Sequence, residues 1–329
     1  MKPSRRTFLH LSATAAALRA VSPKAWAQGY PARPVRVIVP FAAGGQADVI
    51  ARLIAQRLSA QLAQQFYVEN APGGGGTIGT GRAAQASPDG YTILVQDGIA
   101  FTANPSLYVK VPYDATRDFD PVTIPATTMQ VLAVHPSVEA RTIQELVALI
   151  KANPGKYSYA SAGVGTGAHL TGELFRNSLG LDLVHVPYNS GAQAIAAAVG
   201  GHTPISFGSP AATIPQVKDG NLRALAVGGK KRVRELPDIP TMREVGFPDV
   251  GTIAWQGMFA PAGTPKEIIE TLQKASIQAM DVPAARKVFA EQSFNIVPTK
   301  SIEEAKSWLA QEMATWSKIT QEVKIEVPE

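Results

Sequence analysis

From about residue 30 onward the chain alternates short apolar runs with stretches whose apolar residues recur three and four positions apart. The runs are VRVIV (35–39), FYVE (66–69), YTILV (91–95), VLAVH (131–135), YSYAS (157–161), LVHVPY (183–188), PISFG (204–208), LRALAV (222–227) and GMFAP (257–261). They are short and rich in β-branched and aromatic residues, which predicts strands. Between them Ile50, Leu53, Ile54, Leu58 and Leu62 form one stripe at helical spacing, and Leu146, Val147 and Ile150 another. Such alternation predicts an α/β fold of mostly parallel sheets flanked by helices.

Helix starts are marked by Thr142 with Glu145, Thr264 with Pro265 and Glu267, and Ser301 with Glu304, each spaced as a capping box. Helices over 265–280 and 301–323 close the chain, and the stripe Trp308, Leu309, Met313 and Trp316 on the second is assigned to core packing. Two extended, proline-marked segments, 120–136 and 251–265, are read as crossings between two lobes. Lobe one is then 28–127 plus 250–329, and lobe two is 128–249.

The first 27 residues stand apart. They hold Arg5-Arg6 in the setting SRRTFL, an apolar stretch, and Ala25-Trp26-Ala27, the small-x-small pattern of a cleaved export signal. The arginine pair resembles the twin-arginine export motif, with general secretion as the other route. This segment also accounts for the net charge of +5, because it carries five basic residues and no acidic one. A chain cleaved after Ala27 has 26 basic and 26 acidic residues, a balance that argues against nucleic acid as a partner. There are no cysteines, which excludes thiol catalysis and disulfides, and the five histidines never fall at metal-ligand spacing.

The chemistry that remains lies in glycine-rich corners at strand ends. PFAAGGQAD (40–48) passes from a strand through Gly44-Gly45 into a helix, a device that offers unpaired N–H groups to an anion. APGGGGTIGTG (71–81) and SAGVGTGAHL (161–170) each mimic a dinucleotide fingerprint, but neither has an acid at the end of the next strand. Ser161 and Thr166 set hydroxyls beside a helix start. His169 reads as a packing or capping residue, and Asp48 as a first-turn acid complementing the helix dipole. PYNSGAQA (187–194) and FGSPAA (207–212) lie at two further strand ends, where open α/β sheets place ligands. No G-x-S-x-G elbow, phosphate loop or paired carboxylates accompany these corners, an inventory that suits binding better than turnover.

These segments, together with NPSLY, HPSV, HVPYNSGAQA, LRALAVGGKKR, PDIPTMREVGFP and FAPAGTP, resemble in order the solute-binding receptors of tripartite tricarboxylate transporters, also called Bug or TctC-like proteins. The resemblance implies a two-lobed periplasmic-binding-protein fold of the Venus-flytrap, type II-like form. It implies a monomer that captures a small organic carboxylate and delivers it to membrane permease subunits, with no catalytic residue, metal, cofactor or nucleic acid. A sensory receptor handing the bound acid's signal to a sensor kinase is the alternative, and a secreted nicotinamide enzyme a third reading. Carried onto this chain, the family pattern puts Phe41, Ala43, Gly44, Gly45 and Asp48, and Gly75, Gly76, Thr77 and Ile78, on the first lobe's ligand face. It puts Ser161, Gly165, Thr166, His169, Asn189, Ser190, Gly191 and Ser209 on the second. Many members carry an acidic residue in the strand after the glycines at 200–201, where this chain has HTPISFGSPAA. That departure points to a plain mono- or dicarboxylate over an amino acid.

Overall fold

The strand Val35–Val39, β1, is apolar and buried at every position but Arg36, so it lies inside a sheet covered on both sides. It pairs in parallel with β2 (Phe66–Asn70) and β3 (Thr92–Asp97). Helices α1 (Gln46–Leu62) and α2 (Thr77–Ala84) connect these strands, and α3 (Gly98–Leu107) follows β3. The computed structural model describes residues 29–325 except 252, 292 and 324. The export signal expected over 1–27 lies outside the described residues.

The segment expected only as an extended crossing is an eleven-residue strand, β4 (Phe119–Met129), lying antiparallel to a long β10 (Ile253–Pro261). Pro121 and Pro125 concealed it, since proline withholds a ladder donor. Register shifts around Met258 of β10 accommodate them, as bulges do. A two-residue β11 (Asn295–Ile296) pairs with the outer edge of β4. The second sheet is built from β5 (Val131–Val134), β6 (Ser158–Ser161), β7 (Val184–Pro187), β8 (Ile205–Gly208) and β9 (Arg223–Val227). Its helices are α4 (Ile143–Ala152), α5 (Gly167–Ser178), α6 (Gly191–Val199) and α7 (Pro210–Lys218). After β10 come α8 (Lys266–Asp281), α9 (Pro283–Glu291) and α10 (Ile302–Val323).

The strand orders are β11-β4-β10-β3-β1-β2 and β7-β6-β8-β5-β9. Both sheets are mixed where mostly parallel ones were expected. β1–β3 and β6–β8 are parallel, whereas the strands entering and leaving each sheet, β4, β5, β9 and β10, run antiparallel to their neighbours. The cause is the pair of crossings, which bring the chain in and out from one end of each sheet. From Arg33 onward the two sheets belong to one compact unit.

Gln130 alone separates β4 from β5, and its carbonyl accepts the N–H of Gly228, the residue after β9, at 2.8 Å. A Cβ on Gly251 would sit 2.4 Å from the Gly228 carbonyl, so the crossings can lie this close only with glycine there. The first core gathers Trp255, Phe101, Phe119 and Phe259 with Leu309 and Trp316 of α10. Leu170 and Leu174 of α5 join it, while Phe175 of the same helix enters the second core with Tyr159 and Phe207. Helix α5 is thus clamped between both lobes. Thr142 and Ser301 cap α4 and α10, accepting the Glu145 and Glu304 amides at 3.1 Å each. The third expected box is not formed: the Thr264 hydroxyl donates to the Pro261 carbonyl, and α8, with Pro265 as its N-cap, has no side-chain cap bond. Proline at the N-cap already fixes the turn there, and the hydroxyl is spent on the preceding one.

Candidate functional site

Each βα unit that ends at this cleft releases its helix toward the same place, so helix N-termini accumulate there. The result is a cavity of about 150 Å³ between the sheets. Its wall includes Gly45 and Gln46 of α1, Asp97 of α3, Thr166 and Gly167 of α5, Gly191 and Ala192 of α6, and Ser209 and Ala211 of α7. Five helices begin at it. No lysine or arginine lies among the lining residues. Ser190 and Ser209 cap their own helices, accepting from the amides of Gln193 (3.3 Å) and Ala212 (3.4 Å), and Asp97 accepts from Ala100 (2.9 Å). The N-caps of α1 and α5, Gly45 and Thr166, make no side-chain cap bond. These two ends, one from each lobe, are therefore the ones left to serve an outside acceptor.

The loop feeding α1 is braced from behind. Asp48 Oδ2 accepts from the Gly44 amide (3.0 Å) and Arg52 Nε (2.9 Å), and Oδ1 accepts from Asn70 Nδ2 (2.9 Å). Burial opposes ionisation of Asp48, but Arg52, the Gly44 amide and Asn70 outweigh it and hold the carboxyl below its ordinary value. Arg52 is itself engaged with Asp48 and Asn70.

The corresponding loop of the second lobe is held by a buried histidine. His169 Nδ1 accepts the Gly165 amide at 3.1 Å, which fixes the neutral tautomer with the proton on Nε2. Its ring lies 4.3 Å from that of His185, whose Nε2 is 2.6 Å from Ser161 Oγ. Burial, followed by the neighbouring His185 and Arg176, drives His169 down to about 2. Burial and Arg176 take His185 to about 4. Both are neutral at physiological pH.

A second space of about 270 Å³ lies at the mouth, lined by Gly73 to Gly76, Tyr108, Val164 and Tyr188 among others. Here the lobes touch: Tyr108 donates from its hydroxyl to the Val164 carbonyl (3.3 Å), and a Cβ on Gly75 would lie 1.9 Å from that oxygen. Asn104 Nδ2 holds the Gly75 carbonyl at 3.2 Å. The glycine run is used for close approach, with φ positive at all four residues.

The model of the tripartite tricarboxylate transporter family receptor matches residues 50–325. The chain belongs to this receptor family. A UPF0065 protein of Bordetella pertussis is 37% identical over 286 residues, covering 86% of this chain and 87% of that protein. The periplasmic binding protein BugD superposes with a TM-score of 0.86 at 33% identity, over 90% of this chain and 99% of that one. A protein of R. palustris solved with adipate gives 0.86 at 29% identity, again over 90% and 99%. The family and the two-sheet fold are those of periplasmic solute-binding proteins. No helix among the described residues is long and apolar enough to cross a membrane.

In this family member the residues singled out from sequence divide into three groups. Phe41, Gly44, Gly45, Thr166, Gly191 and Ser209 line the cavity. Gly75, Gly76 and Asn189 line the mouth. The others stand outside both linings: Asp48, Ser161, Gly165, His169 and Ser190 hold loops or caps, Thr77 donates to the Gly74 carbonyl, and Ala43 and Ile78 face solvent. Sequence reasoning did not find Asp97, Gln130 or Ser206, all three of which line the cavity and are buried. Asp97 was legible in principle, since VQDG has the form of a strand end followed by a helix cap. Burial, partly offset by the amides of Ala100 and Ile99 and by the nearby Gln256, raises its carboxyl to about 6. Gln256 is its register partner on β10 and approaches it, but neither amide atom of Gln256 completes a hydrogen bond.

Proposed function

We propose that this chain is an exported, periplasmic receptor that captures a small organic carboxylate between its lobes and delivers it to a tripartite tricarboxylate-type permease. The observation that carries the reading is a cavity onto which five helices open by their N-termini and no cationic side chain projects. Unscreened by water, such ends stabilise a carboxylate with backbone dipoles alone. The volume, about 150 Å³, is below the roughly 300–1,000 Å³ of drug-sized sites and suits a small acid. The relative solved with adipate binds its acid on the same fold.

A thermal-shift screen of mono- and dicarboxylates on the exported protein tests this. An acid at 100 times its dissociation constant is expected to add about 2.7 kcal/mol of stability, a shift of several degrees. If no carboxylate shifts the transition, the reading is wrong. Substitution checks the backbone mechanism. Gly45 has ordinary φ and a Cβ there meets only the Ala42 carbonyl at 3.7 Å, so Gly45→Val fills the cavity without strain. Calorimetry is expected to show at least tenfold weaker binding, about 1.4 kcal/mol. Arg82→Gln, an exposed change on α2, leaves binding unchanged.

A further inference from the structure

Backbone dipoles that hold one carboxylate have no use for a buried acid, yet Asp97 faces the same cavity at 9% exposure. One of its oxygens caps α3 through Ala100. No lysine, arginine or histidine shares the lining with it. From the second lobe Ser206, a residue 1% exposed, joins the lining, and its hydroxyl has no hydrogen-bond partner. At the crossing stands Gln130, whose amide, with its oxygen and nitrogen exchanged to face donors and acceptors correctly, donates to the carbonyls of Phe207 (2.9 Å) and Gly208 (3.2 Å). The cavity therefore has two faces: amide donors at α1 and α5, and acceptor capacity at Asp97 and Ser206.

An acid with an unsubstituted carbon chain leaves that second face unmatched. Its far carboxylate would also meet Asp97, a like charge, in a space with no counter-ion. A ligand carrying a donor matches both faces, because a buried acceptor left unpaired is costly and a charge-assisted bond strong. We infer that the ligand is a carboxylic acid bearing an ammonium or hydroxyl group, with its carboxylate on the N-termini of α1 and α5 and its donor received by Asp97 and Ser206. This rests on the carboxylate reading above and narrows it. The missing acid after Gly200-Gly201 pointed away from such a ligand; the acid is supplied by β3 from the other lobe instead. Burial raises the Asp97 carboxyl only to about 6, leaving it ionised at neutral pH.

Calorimetry with two matched series, succinate, malate and aspartate, then glutarate, 2-hydroxyglutarate and glutamate, decides the matter. Within the series that binds, a donor-bearing acid is expected to bind at least tenfold more tightly than its unsubstituted parent. Asp97→Asn keeps an oxygen for the Ala100 amide and is expected to lower the donor-bearing affinity at least tenfold, while the parent binds as tightly as before or more tightly because the like charge is gone. Ser206→Ala is expected to act in the same direction by a smaller factor. Parents that bind as tightly as their substituted relatives would overturn the inference, as would Asp97→Asn weakening all members equally while thermal denaturation shows it folded. Gly45→Val separates the two levels: it should weaken parents and substituted acids alike. Binding by no acid in either series, nor in the wider screen, removes the carboxylate reading itself and this inference with it.

Discussion

Replacing Gly75 by valine is expected to lower ligand affinity more than 100-fold while leaving the chain folded. The added Cβ would lie 1.9 Å from the Val164 carbonyl oxygen and 3.1 Å from its carbon, both backbone atoms that cannot swing aside. Gly75 belongs to the loop between β2 and α2, and Val164 to the loop between β6 and α5, so the collision falls across the mouth. The variant can relieve it only by holding the lobes apart, which leaves the α1 and α5 ends unable to grip one ligand together. A 100-fold loss corresponds to about 2.7 kcal/mol. Small-angle scattering checks the cause: saturating ligand should compact the wild-type protein by closure about the crossings at Gln130 and Gly251, and leave the variant expanded. Gly220→Ala is the control for backbone strain alone, since Gly220 also has positive φ (78°) but open space around it. Wild-type affinity in a well-folded Gly75→Val protein would show that binding does not need this closure.

The second large effect is loss of stability in mild acid. His169 and His185 are neutral in the fold, with values of about 2 and about 4. In the unfolded chain both protonate near 6.5. The unfolded state therefore binds protons that the native state refuses, and each histidine costs up to about 1.4 kcal/mol per pH unit below 6.5. Asp97 acts in the opposite sense. Its folded value of about 6 exceeds its unfolded 3.8, so the native state takes its proton first and gains stability as pH falls through that window. Between pH 6 and 4 the two histidine losses face the gain at Asp97 and a further gain at Glu312, whose carboxyl burial also raises, so the net decline is at most about 1.4 kcal/mol per unit. Asp48 and Asp114, both held low by hydrogen bonds, add their losses only below about pH 4. Denaturant titrations at pH 7, 6, 5 and 4 read the slope. His169→Asn, which can still accept the Gly165 amide, should make the slope nearly flat between pH 6 and 4, whatever it costs at pH 7. A flat wild-type profile, or an unchanged slope in the variant, would refute the assignment.

Much of this protein was legible along the chain. The buried runs at 35–39 and 131–134 announced strands because a sheet covered on both faces needs apolar residues at nearly every position, Arg36 being the one exception here. The corner at Gly44-Gly45 announced an anion-binding helix start because strand, glycine turn and helix are contiguous in sequence. Trp308, Leu309, Met313 and Trp316 announced a packed face by period alone, and Leu309 and Trp316 are buried in the first core. These are local properties, set by side-chain period and backbone freedom within a few residues.

Other features depend on partners distant in the chain. Strand β4 escaped notice because its prolines break the local pattern, and only the bulged β10, more than 120 residues away, makes room for them. Asp48 and Asp97 have the same local description, an acid at a helix N-terminus, and opposite fates. Arg52 and Asn70 tie Asp48 down, while Asp97 is left facing the cavity because α5, α6 and α7 from the other sheet enclose its helix end. The sequence by itself determined the βα units and the glycine corners that let backbone amides face a ligand. Only the tertiary structure decided which helix ends meet, which acid lines their cavity and where the lobes touch, because those depend on how two sheets joined at Gln130 and Gly251 come together.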